Sequence, residues 1–537
     1  MKRTIYILGL ALIAGIAACK KSDFSDGYAD PSKLPVTTVD KQFAGMITTF
    51  ANSNHDKGHH GYIVPSYWNY FVILRTTLLR YTQAVGWENT DNQYIPGSAA
   101  VTDRWNDYYN LLAQYREVQK VYSKLTAQEQ AAKRIFIIAS NIFFYDQTQK
   151  VVDLHGDIPW SEAGMLSTNS GDYSASLPKY DKAEDIYTAM LDDLKSIADE
   201  LNTITLDPAV EAAFKAQDYI NRASLDMWKR YCNSLRLRIL TRVSDVPAFT
   251  ARYTSEVGQI TGDPVKYPLV INNSQNIKIS VHDPVNTDIT AKNFQTGLED
   301  WNGNLAGKFM IDHMKTSADP RLRAMFEPGV NAAGVYNGLD PLQNRSAQNA
   351  LIAGGTVAIY NRSTISRNDY FPGVLVTASE VKFMLSEYYL KGSNNASAKT
   401  AYDEGVTLST EFYYWLRTLS NDNTAGSLTP LNPAEVTAYL ATPAVNFNTA
   451  VTNADKLKLI AMQKWLHFSI LQPIDSWAEI RRLNAPSLSF EVDNSNAQTQ
   501  PPMRWFYATN ESLFNAENYA AVSANDKLTT KLFWDIN

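Results

Sequence analysis

The side chains best suited to chemistry fall in a few short stretches. Asp475 and Glu479 stand one helical turn apart in Asp475-Ser-Trp-Ala-Glu-Ile-Arg-Arg482. A carboxylate pair can hydrolyse a glycosidic bond, one group protonating the leaving oxygen while the other attacks or activates water. Here Arg481 and Arg482 follow at once, and an ion-paired helix end is the favoured reading. His155, Asp157 and Glu162 offer nitrogen and oxygen ligands to a metal. Gly156 and Pro159 make that stretch a tight turn, in which Asp157 and Ser161 satisfy amides while Ile158 and Trp160 pack. His55, His59 and His60 share a polar loop with no cysteine or helix to fix their geometry, so no metal and no cofactor are expected. Cys232 reads as a small buried hydrophobe rather than a nucleophile. Phosphate-binding glycine loops, nucleophile elbows and zinc-protease or dinucleotide motifs are missing from the sequence. The expectation is a protein that binds and does not catalyse, with a hydrolase acting through Asp157 or Glu479 as the remote alternative.

The aromatic content points to what is bound. The chain carries 30 Tyr, 21 Phe and 11 Trp, more rings than its helical stripes require. Tyr62, Tyr67, Trp68, Trp87, Tyr94, Trp301, Tyr336 and Tyr360 fall in expected loops or at helix edges. Flat ring faces cover the C–H faces of sugars, and amides or carboxylates beside them bond the hydroxyls. Asn89 and Asp91, between Trp87 and Tyr94, suit that role. The candidate ligand contacts are therefore Tyr67, Trp68, Trp87, Asn89, Asp91, Tyr94, Trp301 and Tyr336. For any one ring, packing a loop onto the body is the competing explanation.

The N-terminus supplies an address. Met1-Lys2-Arg3 is basic, Ile5 to Ile16 is an apolar core, and Ile16-Ala17-Ala18-Cys19 resembles the bacterial lipobox. Residues 1–18 then form a signal peptide, Cys19 is acylated, and residues 19–40 are a lipidated tether to one helical domain over 41–537. Several acyl chains on one cysteine hold a protein at a bilayer without a spanning helix. Ser22-Asp23-Phe24-Ser25-Asp26 resembles a surface-export signal, which would place the protein outside the outer membrane. A net charge of −6 argues against nucleic acid.

Helices must position these residues. Trp105, Tyr108, Tyr109 and Leu112 mark one buried face. The spacing predicts a central helix over 127–149, apolar nearly all round. It also predicts a helix entered through an Asp181/Glu184 capping box, and one over 378–391 with Thr377 and Glu380 as a second box and Gly392 as its stop. Further helices are expected near 397–417 and 454–471. Together they read as mainly α, tetratricopeptide-like hairpins. Residues 246–300 and 327–376 are expected to be irregular, with a short strand at Ile277–Val281; they would form a loop-rich, ligand-facing half.

Several segments, taken in order, resemble the SusD/RagB family of outer-membrane nutrient-binding lipoproteins. They are Asp153-Leu-His-Gly-Asp-Ile-Pro-Trp-Ser-Glu-Ala163, Pro178-Lys-Tyr-Asp181, Trp228 through Asn233-Ser-Leu-Arg-Leu-Arg238, Asp319-Pro-Arg-Leu322, Gln463-Lys-Trp465 with Trp477-Ala-Glu-Ile-Arg-Arg482, and Arg504 through Tyr507 to Asn515. His155, Trp160 and Ala508 depart from the family pattern. The resemblance implies a SusC-like TonB-dependent transporter as partner and an oligosaccharide ligand, with peptides or other nutrients as the alternative. It carries over no binding residue, because the matching motifs are structural.

Overall fold

The computed structural model describes residues 37–51, 62–283, 285, 289–291, 293–495 and 498–537. Cys19, the signal segment and His55, His59 and His60 lie outside the described residues. The chain is mainly α. Its principal helices are α1 Val39–Ala51, α2 Ser98–Ser123, α3 Arg134–His155, α4 Ala183–Glu200, α5 Leu225–Arg242, α6 Pro247–Gly262, α7 Arg345–Ala353, α8 Ala378–Lys391, α9 Asn395–Leu419, α10 Asn453–Phe468 and α11 Pro473–Leu483. Helix α1 starts inside the expected tether, and Val39 is already buried. No helix among the described residues is long and apolar enough to cross a membrane.

Helix α3 is the centre of the molecule, with every residue from Ile135 to His155 buried. The expected 127–149 helix is in fact two. Thr126 and Glu129 cap a short piece over Ala127–Ala132, the chain kinks at Lys133, and α3 runs six residues beyond the expected end. Helix α8 has the expected bounds. Thr377 accepts from the Glu380 amide at 3.2 Å, but the Glu380 carboxylate does not complete the box; it turns inward to Arg238. The Asp181/Glu184 box does not form. Asp181 accepts instead from the Trp160 and Ser161 amides at 3.0 and 2.8 Å, while Asp157 accepts from Ala183 N at 2.8 Å and caps α4 from across the turn. This exchange is anchored by the antiparallel pair β1 Ile158–Pro159 and β2 Tyr180–Asp181.

The two stretches expected to be irregular each hold a helix. Helix α6 begins at Pro247 and buries Phe249, Tyr253, Val257 and Ile260. Helix α7 is capped by Asn344, which accepts from Ala347 N at 2.9 Å. The expected strand is β3 Ile277–Ile279, two residues shorter than predicted, and it pairs antiparallel with Gly373–Val376. A further pair joins Phe326–Glu327 to Ile359–Tyr360.

Charged side chains hold the helices together from within. Arg238 on α5 donates to Glu380 on α8 at 2.5 and 2.8 Å and to Asp146 on α3 at 3.0 Å. Arg242 bonds Asp153 at 3.0 Å and Glu479 on α11. Arg482 donates to both Glu387 oxygens at 2.7 Å and to Glu479, which also takes Lys464. Arg321 pairs with Asp319 at 2.6 Å, with Gln463 and Tyr439 completing its donors. Of these, Asp153, Arg238, Asp319, Arg321, Lys464, Glu479 and Arg482 belong to the matching sequence segments. Removing one partner from such a pair costs about 3–5 kcal/mol, because the other charge is left buried and alone.

Candidate ligand-binding cleft

The π-helical turn Asn69–Leu74 and the short helix Leu78–Tyr81 lead into a loop that carries Trp87. That loop is tied down on both sides. Gly86 N donates to Leu305 O at 2.7 Å, and Val85 and Ala306 form an antiparallel bridge. A Cβ on Gly86 would meet the Ala306 carbonyl at 2.8 Å, so only glycine permits the approach. On the far side, the Asn89 side-chain amide donates to Pro341 O and Gln343 O at 2.8 and 3.0 Å, and its backbone N–H donates to Gln348 Oε1 at 2.7 Å. Glu88 pairs with Arg345 at the start of α7.

These ties open a cleft of about 590 Å³ lined by Arg75, Arg80, Trp87, Glu88, Trp301 and Ile352, among others. Trp87 forms the inner wall. It is buried, stacks on Phe490 with centroids 6.3 Å apart, and donates to Gln93 Oε1 at 2.9 Å. Trp301 forms the rim and is 83% exposed, the one exposed tryptophan among the described residues. Its backbone is left-handed (φ 55°), as is that of Asn302 (φ 57°). Such a conformation costs an ordinary residue about 1–2 kcal/mol. A large apolar ring held in water on a strained turn has no packing reason to be there, and such strain clusters at binding sites. Arg75 steadies the turn by donating to the Asp300 carbonyl at 2.5 Å. A Cβ on Gly303 would strike the Leu298 carbonyl at 2.6 Å as well as the Arg75 side chain, so glycine is required beneath it.

The expected contacts divide. Trp87 and Trp301 meet in the cleft. Tyr67 is not part of the cleft lining and is linked to it only through Phe71 and Arg75: it stacks on Phe71 at 5.1 Å, and Arg75 covers the Phe71 ring at 4.1 Å. Asp91 is exposed on the Trp87 loop. The others serve the structure. Trp68 donates to Asp103 on α2 at 2.8 Å, the Tyr94 hydroxyl donates to Glu491 O at 2.6 Å, and Asn89 is spent on three bonds to the 341–348 segment. Tyr336 is half-buried near Arg323, and Tyr360 is wholly buried, away from the cleft lining. Phe71, Arg75 and Arg80 were missed by sequence reasoning. Their i, i+4 spacing (67, 71, 75) was legible as a helical stripe, but its exposure was not.

The other chemical candidates are engaged elsewhere. His155 is buried among Trp105, Trp505 and Tyr507, and burial, with the Arg504 charge, holds its imidazole well below the usual pKa. Asp157 caps α4, and Glu162 faces Lys179 N. No group of three metal-ligating side chains occurs among the described residues. Asp475 and Glu479 lie in the buried ion network, so the pairing read from their helix end is right but its setting is interior. Cys232 is fully buried, and burial pushes its thiol up to about 12. Other concavities occur among the described residues, two of them large. One of about 640 Å³ lies between core residues such as Tyr70, Gln147 and Trp505; the other, about 1110 Å³, runs past Trp477, Pro486 and Phe490. Neither presents an exposed tryptophan.

Comparison with known proteins places this geometry. The family model described as starch-binding and associating with the outer membrane matches residues 45–508. The chain belongs to the SusD-like family. Solved structures agree in fold: a SusD-like protein of Bacteroidetes superposes with a TM-score of 0.72 at 18% identity, covering 93% of this chain and 100% of its own. A chitin-binding SusD homologue from Flavobacterium johnsoniae gives 0.69 at 20% identity, covering 93% and 99%. A SusD homologue from Bacteroides vulgatus gives 0.68 at 22%, covering 96% and 99%. No curated protein matches significantly. The SusD-like fold therefore accounts for the helical frame, and its description makes this an outer-membrane-associated nutrient-binding protein.

Proposed function

We propose that this SusD-like protein captures oligosaccharides in the Trp87–Trp301 cleft and delivers them to a SusC-like TonB-dependent transporter. Cys19, acylated, holds it at the outer face of the outer membrane. The observation that carries the reading is the exposed Trp301 ring, held on a left-handed turn across from Trp87. Two ring faces and the polar groups between them suit a sugar, whose apolar face stacks while its hydroxyls bond. The family description supports a glycan, as does the chitin binding stated for a similar structure. Binding without turnover is favoured because Asp157 and Glu479 are both committed to structural contacts. Calorimetric titration with maltodextrins and chito-oligosaccharides tests it. Trp301→Ala is expected to weaken binding roughly tenfold or more. Binding of peptides alone, with no sugar retained, would move the ligand to the other nutrient class.

A further inference from the structure

Two half-buried arginines in the cleft have no carboxylate partner. Arg75 and Arg80 both line it, and neither forms an ion pair among the described residues. Arg75 donates to one backbone carbonyl and lies over the Phe71 ring. Arg80 donates to Gln93 O at 2.8 Å and stands 5.6 Å from the Trp87 ring centroid; its Nε is buried with no acceptor. Burial lowers the pKa of both. For Arg80 the fall is to about 10, the neighbouring phenols of Tyr81 and Tyr94 oppose it, and the Arg75 charge adds to it. The one carboxylate lining the cleft, Glu88, is taken by Arg345 and Asn349. Asp300 acts on Arg75 only from beyond ion-pair range.

Arg481 forms no close ion pair either, but it has more to hold it: Asp153 and Asp535 act on it at longer range. It donates to the Trp477, Met503 and Asp153 carbonyls and lies 3.5 and 4.8 Å from the ring centroids of Trp477 and Trp534. Arg80 has one such carbonyl and a distant ring. Two incompletely satisfied cations, side by side and repelling each other, border open space next to an exposed sugar-sized ring. A group that accepts from both guanidiniums would relieve this arrangement, and planar or tetrahedral oxyanions fit a guanidinium fork.

We propose that the cleft is built for anionic saccharides, a ring carboxylate or sulfate ester pairing with Arg75 and Arg80 while the sugar stacks on Trp301. This rests on the glycan-binding reading above and narrows its substrate class. The net charge of −6 means that the whole-protein field opposes such a ligand, so the attraction is local to the cleft.

The test titrates the full chain with an oligogalacturonate, a sulfated galactan fragment and two neutral probes, maltoheptaose and chitohexaose, at low and high salt. At least one anionic probe is expected to bind roughly ten- to hundredfold tighter than the neutral ones, with the margin shrinking in salt. The two anionic arms tell carboxylate from sulfate. Arg80→Met and Arg75→Met, each checked for an unchanged melting profile, should remove that margin, and Arg80→Lys should restore part of it. Neutral sugars binding as well as both anionic probes, with Trp301→Ala weakening all, would overturn the charge selection and leave the glycan reading standing. An anionic preference untouched by both arginine replacements would also overturn it. Failure of every saccharide to bind would take both readings down.

Discussion

Arg482 and Arg80 are both withdrawn from bulk water, and their surroundings could hardly differ more. Arg482 meets two carboxylates, Glu387 and Glu479, each fixed by its own helix. Arg80 meets a carbonyl and, at 5.6 Å, the face of the Trp87 ring. In the helical core the cost of dehydrating charge is offset by geometry, and Arg238, Arg242 and Arg321 repeat the pattern. At the cleft it is not. The difference separates charge that holds a frame together from charge that faces a ligand, and it does so within one residue type.

Replacements can break this comparison. The largest effect is expected at Arg482→Met, which leaves Glu387 with Lys391 and Glu479 with Arg242 and Lys464 but takes from both their shared guanidinium; it should lower unfolding free energy by about 3–5 kcal/mol in urea titrations. A loss below about 1 kcal/mol would mean that the core pairs do not bear on stability.

Acid should act next. The Glu387 carboxyl is subject to burial, which raises its pKa, but Arg482 and Lys391 outweigh that and hold it low. His467 sits between Thr377 and Ser409, and burial followed by the Arg321 charge depresses its imidazole to about 3. Both groups bind protons more weakly folded than unfolded, so both contributions are complete above the unfolded values and drain as pH falls. The His467 share should be lost from pH 6.5 downward and the Glu387 share from 4.5 downward. His467→Gln should flatten the stability profile between those values, leaving the slope due to His155, His313 and His282, whose imidazoles burial also holds low.

Asp157→Ala removes the cap of α4 and should cost about 1 kcal/mol. The smallest change is expected at Arg80→Met. Losing an unpaired cation should shift stability by less than about 1 kcal/mol, or raise it, because no carboxylate is left behind. A fall as large as that of Arg482→Met would show that Arg80 belongs to the frame.

Much of the frame was legible. Helix α8 could be read to the residue because Thr377, a clean apolar stripe and Gly392 all agreed. Helix α6 carried the same kind of stripe at Phe249, Tyr253, Val257 and Ile260, but surrounding glycine, proline and threonine obscured it. The Asp181 cap failed for a physical reason: the side chain had two sets of amides to choose from, and the nearer belonged to a segment 20 residues away. The cleft was only half legible. Loop tryptophans flagged Trp87 and Trp301, since composition tells which rings exceed the helical stripes. Tyr94 and Asn89 shared the same loop and were claimed by the interior. Arg75 sits on a legible i, i+4 stripe, but neither it nor Arg80 could be singled out as a ligand contact, because the absence of a carboxylate partner exists only in three dimensions.

The most direct test is a crystal structure with bound oligosaccharide, taken at the anionic or neutral probe of highest affinity. The account predicts a sugar ring on the exposed face of Trp301, within the cleft walled by Trp87. Density for the ligand in the groove beside Trp477, Pro486 and Phe490, with Trp301 bare, would contradict it.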